Sequence, residues 1–465
     1  MTQRRGQGQT KGAFHQVAAR KGDFSQGKVS SIIIRLGLPI MLAELVHVLY
    51  NIVDRMYIGH MADGGTLALT GLGVCFPLIT LIGAFANLCS TGGATLATIA
   101  RGEGDEDKAE RIMSTAFTIL IGTGALLTAL LYCTAPVTLT WLGGDETTLP
   151  AALGYFRIYV LGTIPVLISL GMNPFITSQG FPRAGMLTVV IGAALNIALD
   201  PLFIFALGMG IRGAALATVL SQAVGALWVL LFLCGHRPPV RLRRLCVDPE
   251  QLLAILKLGV TGFTFKVTNS LTQAIVNIML KSWGGPLSTL YIGAMGLINS
   301  LREIMSLPTS GVTTGGQSVM SFNYGAKLYR RVSQSIRFIF LGGLAINTFM
   351  WALVMFVPEP LIRIFTGDPE LIAITVRCAR IYFGAFPFMA LQLTGQNTFV
   401  ALNYPRHALC FSLLRKVGLV APLTLLLPRL GLGVYGVFWA EFVSQLTGAT
   451  ACFVTMYRVI WRRMK

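Results

Sequence analysis

The chain states nearly the same pattern twice. Gly210-Ile211-Arg212-Gly213, followed by Thr218 and Ser221-Gln222, returns as Gly433-Val434-Tyr435-Gly436, followed by Glu441 and Ser444-Gln445. The spacing from Gly210 to Gly433 is 223 residues, and the same spacing relates Arg157-Ile158-Tyr159 to Arg380-Ile381-Tyr382. It also relates Phe181-Pro182-Arg183 to Tyr404-Pro405-Arg406, and Thr91-Gly92-Gly93 to Thr314-Gly315-Gly316. Each match is weak alone. Four in one register make the chain an internal duplication, so both halves are expected to fold alike.

Hydrophobic residues form 54% of the chain and charged residues 12%, where a soluble domain carries about 25% charge. Apolar runs near the roughly 20 residues needed to cross a bilayer follow one another from Ile32 onward. They predict an all-α integral membrane protein with about twelve transmembrane helices: 32–58, 67–92, 111–135, 150–177, 183–207, 211–234, 251–281, 287–312, 332–357, 371–400, 406–428 and 433–458. Six per half is an even number, so both halves start on the same side and form parallel repeats about an axis along the membrane normal, a known plan for transporters. The expected division is a cytoplasmic tail at 1–30, an N lobe at 31–235 holding spans 1–6, and a linker loop at 236–250. A C lobe at 251–458 holds spans 7–12, and a tail follows at 459–465.

The net charge of +18 invites a nucleic-acid reading, but its distribution argues against one. Threading the spans with the N-terminus inside collects Arg4, Arg5, Lys11, Arg20, Lys21, Lys28, Arg101, Lys108, Arg111, the Arg237–Arg244 cluster, Lys327, Arg330, Arg331 and the C-terminal Arg462, Arg463 and Lys465 on one side. The opposite loops, such as Asp63-Gly64-Gly65 and Gly143-Gly144-Asp145-Glu146, are short and nearly neutral. This positive-inside pattern predicts a multi-pass protein of the cell (cytoplasmic or inner) membrane with both termini cytoplasmic, its charge facing cytosol and lipid head groups. The start lacks a signal-peptide core. The eight cysteines have no metal-like spacing and read as packing residues. No Walker loop or glycine-rich strand-to-helix turn is present, so neither an enzyme nor a bound cofactor is expected. Energy for transport would come from an ion gradient or a partner protein.

Ionisable residues inside spans are costly and therefore candidates for function. Span 1 carries His47, Tyr50, Asn51 and Asp54 on one helical stripe, with Glu44 one turn away. Such a stripe must face protein or water. Span 5 carries Asn196 and Asp200 four residues apart, followed by Pro201, which is expected to kink the helix. Span 6 carries Thr218. At the repeat spacing, Leu419 and Leu423 stand where Asn196 and Asp200 stand, so the first half alone has paired carboxylates. Two close carboxylates can hold a proton, and the same oxygens can coordinate sodium. They can also be two separate polar residues that stabilise helix packing. The second half offers Lys266, Arg302-Glu303 and Glu441, the last in the place of Thr218. Glu441 would meet a cationic ligand, or pair with Lys266 in a buried ion pair. Pro39, with Gly37 before it, permits a bend in span 1.

Taken together, these residues resemble the MATE (multidrug and toxic compound extrusion) family across about residues 30–458. The carriers are Leu38-Pro39, Tyr50-Asn51 with Asp54, Asn173-Pro174-Phe175, Gln179-Gly180, Asn196 with Asp200-Pro201, Gly213–Thr218, Gly316-Gln317 and Asn323-Tyr324-Gly325-Ala326. The resemblance implies two six-helix lobes around a central cavity that opens alternately to either side. It implies an antiporter exporting lipophilic or cationic drugs in exchange for protons or sodium. Asp54, Asn196, Asp200 and Thr218 match the family's cation site, also its sodium site where sodium is used, and Pro39 matches a proline that bends span 1. Glu44, His47, Tyr50, Asn51, Glu303 and Glu441 are the candidates for the substrate cavity, and a monomer is expected. One departure stands out: Lys266 and the neutral Gln392, Gln396 and Asn397 occupy spans where another branch has acids. A lipid or lipid-linked oligosaccharide flippase of the same superfamily is the first rival, and a non-transporting receptor or scaffold the second.

Overall fold

A chain this apolar must satisfy its backbone hydrogen bonds within each segment when lipid surrounds it, and the helix is the only open-ended way to do so. The computed structural model describes residues 22–61 and 65–464, and every regular element among them is a helix. Most of the N-terminal tail, the tip of the Asp63 loop and Lys465 lie outside the described residues. The first half contains α1 (Val29–Gly59), α2 (Leu67–Glu103), α3 (Glu106–Trp141), α4 (Leu149–Leu161 and Thr163–Ser178), α5 (Pro182–Ala206) and α6 (Ile211–Cys234). The second contains α7 (Pro249–Trp283), α8 (Ser288–Gly325), α9 (Tyr329–Phe356), α10 (Pro369–Phe383 and Phe386–Ala401), α11 (Pro405–Leu426) and α12 (Tyr435–Val459), with a short helix, Pro358–Arg363, before α10.

Eight helices are long and apolar enough to cross a membrane alone, and ten when the bent pairs α4 and α10 each count as one. The other two, α7 and α8, run 35 and 38 residues and are more polar along their length. Both are lobe-interface helices, shielded from lipid by the opposite lobe. The bends repeat as well: α4 turns by 59° at Gly162 and α10 by 45° at Gly384-Ala385. Asp145 accepts hydrogen bonds from the backbone of Thr147 and Thr148 before α4, and Asp368, at the repeat spacing, caps Glu370 and Leu371 at the start of α10. Pro39 lies buried inside α1 without interrupting it. After Pro201, α5 continues as a wide turn, Leu202–Ala206.

The lobes meet where α1 packs on α8 and α2 packs on α7 and α8. The duplication maps α1 onto α7 and α2 onto α8, so the first two contacts are one contact made twice. Glycines permit it. A Cβ on Gly37 would lie 2.6 Å from the carbonyl oxygen of Gly311, and one on Gly259 would lie 2.1 Å from that of Leu88. These approaches lie in the half of the helices nearest the termini, and there the lobes are closed against each other.

Residues 22–28 lie across this closed face. Arg101 of α2 donates to the carbonyl oxygen of Gly22 at 2.9 Å and to that of Ser178 at 3.1 Å. From the other lobe, Arg331 donates to the carbonyl oxygens of Phe24 and Gly27, both at 2.9 Å, and Asn323 donates to Phe24 at 3.1 Å. The buried Phe24 ring meets Phe322 edge-on, centroids 5.4 Å apart. The segment thus ties one lobe to the other. Hydrogen bonds from a charged donor contribute about 1.5–3 kcal/mol each, so Arg331→Ala is expected to release the strap. A cysteine at position 24 should then react with a thiol reagent at least about tenfold faster than in the parent; equal rates would show that Arg331 does not hold it.

Candidate functional site

Helical spacing brings Asn196 and Asp200 to one face of α5, and α5 packs against α1, which delivers Asp54. All three side chains are buried; Asp200 has no exposed surface. The Asn196 amide donates to Asp200 Oδ1 at 3.2 Å, and the Asp54 carboxyl is delivered to the same buried region. Two carboxyl groups buried close together can hold a proton between them. Asp54 Oδ1, Asp200 Oδ2, Asn196 Oδ1 and Ser221 Oγ remain buried without a partner. A group of orphaned oxygens in a low-dielectric interior favours a proton or a small hard cation. Thr218 completes the set from α6. Its hydroxyl donates to the Ala214 carbonyl at 3.0 Å.

Two neighbouring spaces lie beside this set. A cavity of about 400 Å³ lies between the N lobe and α8, lined by Glu44, His47, Asn87, Asn173 and Gln317 among others. A smaller pocket of about 40 Å³ lies inside the N lobe, lined by Tyr50, Asn196, Thr218, Ser221 and Gln222 among others. His47, Asn173 and Val189 line both and separate one from the other. Glu44 accepts from Ser310 of α8 at 2.8 Å, which spans the lobe boundary. The Asn51 amide folds back onto the His47 carbonyl oxygen at 2.7 Å. Glu303 is exposed on α8.

Glu441 is placed differently from the expectation. It is buried within the C lobe, paired with Arg415 and, at 3.5 Å, with Lys416, both on α11. It is therefore neither at the wall of the large cavity nor paired with Lys266. The sequence reading named neither Arg415 nor Lys416. A signal was available: they sit about ten residues into α11, roughly 15 Å from its start, too deep for a side chain to reach the membrane surface easily. Tyr155, Tyr159 and Gln222 were also missed. Tyr50 and Gln222 line the small pocket together, and the Tyr155 and Tyr159 rings stack 5.9 Å apart.

The MatE family model matches residues 39–202 and 267–426, one match in each lobe. The chain belongs to the MatE family. Among MatE-related proteins, it is 21% identical to the multidrug export protein MepA of Staphylococcus haemolyticus (strain JCSC1435), covering 94% of each chain. It is 22% identical to MepA of Staphylococcus aureus (strain NCTC 8325 / PS 47), covering 93% of this chain and 95% of the other. A solved structure described as the outward-facing conformation of a multidrug resistance MATE family transporter superposes with a TM-score of 0.88 at 20% identity, covering 96% of this chain and 99% of the other. At that identity the likeness speaks for the fold. The protein is thus a multi-pass membrane protein with the two-lobe MATE architecture.

Proposed function

We propose that this protein exports lipophilic and cationic small molecules across the cell membrane in exchange for protons. The observation that carries this reading is the buried Asp54–Asp200 pair with its orphaned oxygens, held by Asn196, which lines a small pocket that shares His47 and Asn173 with a cavity of drug-like size. The staphylococcal relatives, described as multidrug export proteins, support the substrate class. The basic loops support an orientation with the closed face and both termini toward the cytoplasm. The described state is then the one open to the outside, in which protons enter and drug leaves. Protonation of the pair favours one arrangement of α1 against α5, and that differential affinity drives the switch. Sodium is the alternative coupling ion, since the same orphaned oxygens suit a small hard cation. Both lobes of the pathway come from one chain, so a monomer is the working unit.

Efflux of a fluorescent cationic dye from oriented proteoliposomes tests this, under an imposed pH gradient and, separately, a sodium gradient. Export driven by the pH gradient alone is expected. Export driven by sodium alone would replace the proton with sodium. No export under either would favour the lipid flippase.

A further inference from the structure

We propose that the C lobe binds a small monovalent anion of the chloride class, at the position the duplication makes equivalent to the small pocket of the N lobe. A pocket of about 30 Å³ lies between α7, α8, α10, α11 and α12, lined by Gln273, Arg302, Tyr382, Lys416 and Glu441 among others. Removing the repeat spacing of 223 turns Gln273, Lys416 and Glu441 into Tyr50, Ala193 and Thr218, and all three of those line the N-lobe pocket. The two pockets are one place in the repeat, lined by neutral polar groups in the N lobe and by Arg302, Lys416 and Glu441 in the C lobe.

The charges do not balance. Arg302, Arg415 and Lys416 face a single carboxylate, Glu441, which pairs with Arg415 and Lys416. Arg302 has no carboxylate within ion-pair distance among the described residues, and it lines the pocket together with Tyr382. Glu303, next to it in sequence, is exposed on α8. Arg415 and Lys416 are 8% and 5% exposed, and Arg415 Nε is buried without a partner. Excess cationic charge inside a transmembrane lobe is expensive unless a counter-charge accompanies it. The lining supplies donors suited to an anion: an ammonium, a guanidinium, a phenol and the amides of Asn269 and Gln273. The space is close to the roughly 30 Å³ share of one water, enough for a halide or a single small carboxylate and too small for a drug.

Full-length purified protein in gluconate buffer is titrated with radiolabelled chloride. Saturable binding near one chloride per chain is expected, weakened roughly tenfold or more by Lys416→Met and unchanged by Asp54→Asn. Acetate as competitor tells a carboxylate occupant from a halide; either supports a small-anion site. Because Lys416→Met alone may simply fail to fold, thermal unfolding of Glu441→Gln supplies the second reading. Its midpoint is expected to drop in gluconate and recover in chloride at equal ionic strength. Absence of saturable chloride binding in the parent, or a Glu441→Gln midpoint equally low in both salts, overturns the proposal. Neither readout depends on transport, so failure here leaves the proton-coupled export reading standing.

Discussion

Asp200→Asn is expected to reduce pH-driven export to the background of empty liposomes while the protein stays folded. Asparagine keeps the shape of the side chain and can still pair with Asn196, which now bonds Asp200 at 3.2 Å. It cannot exchange a proton, and Asp54 loses the neighbouring carboxyl whose charge helps the pair hold one. Without a proton affinity that differs between the two states, a gradient cannot bias the conformational equilibrium. Removing a buried carboxylate also removes a desolvation cost, so the unfolding midpoint should hold or rise. The separating measurement is dye counterflow, in which labelled dye exchanges for unlabelled with no gradient. Counterflow should persist in Asp200→Asn where pH-driven export is lost. Wild-type pH-driven export in this variant would remove the carboxyl pair from the mechanism.

The second large effect concerns closure of the lobes. A Cβ on Gly102 would sit 2.0 Å from the Phe322 carbonyl oxygen, and one on Gly325 would sit 2.1 Å from that of Ile99. Ile99 and Phe322, like Gly102 and Gly325, are 223 residues apart, so this is one contact made twice about the repeat axis. The obstacle in each case is backbone, which cannot rotate away as a side chain can. Gly102→Ala combined with Gly325→Ala is therefore expected to open the face that carries the termini. A bias of about 5.5 kcal/mol moves a two-state equilibrium from 99:1 to 1:99, and two backbone overlaps of this size are expected to reach that scale. Distances between spin labels on the terminal ends of α2 and α8 should lengthen, and export should fall to background in a folded protein. Gly83→Ala, where a Cβ meets nothing within 4 Å, is the control and should leave both unchanged. Unchanged label distances in the double variant would show that closure does not use this contact.

The extent of α2 and α8 shows where sequence reading reached its limit. Hydropathy ended span 2 at 92 and span 8 at 312, whereas the helices continue to Glu103 and Gly325. The extensions begin at Gly93 and Thr313, and Gly93–Thr98 and Thr313–Asn323 are rich in small and polar residues that do not read as lipid-facing. They are buried by the opposite lobe and the cavity, and a scale calibrated on lipid contact does not register that kind of burial. Most other boundaries fell within a few residues, because those helices face lipid and their apolar surface is set by it.

The sequence alone determined the duplication, the all-helical membrane architecture and the grouping of Asp54, Asn196, Asp200 and Thr218 as candidates, because periodicity and rarity of charge survive in one dimension. Only the tertiary structure decided which charges meet. It buried the two carboxyls together where α1 packs on α5, and it turned Glu441 away from the large cavity toward Arg415 and Lys416. The physical reason is that an ionisable group in a membrane takes the partner that packing brings within a few ångströms, and the identity of that partner depends on helices distant in sequence.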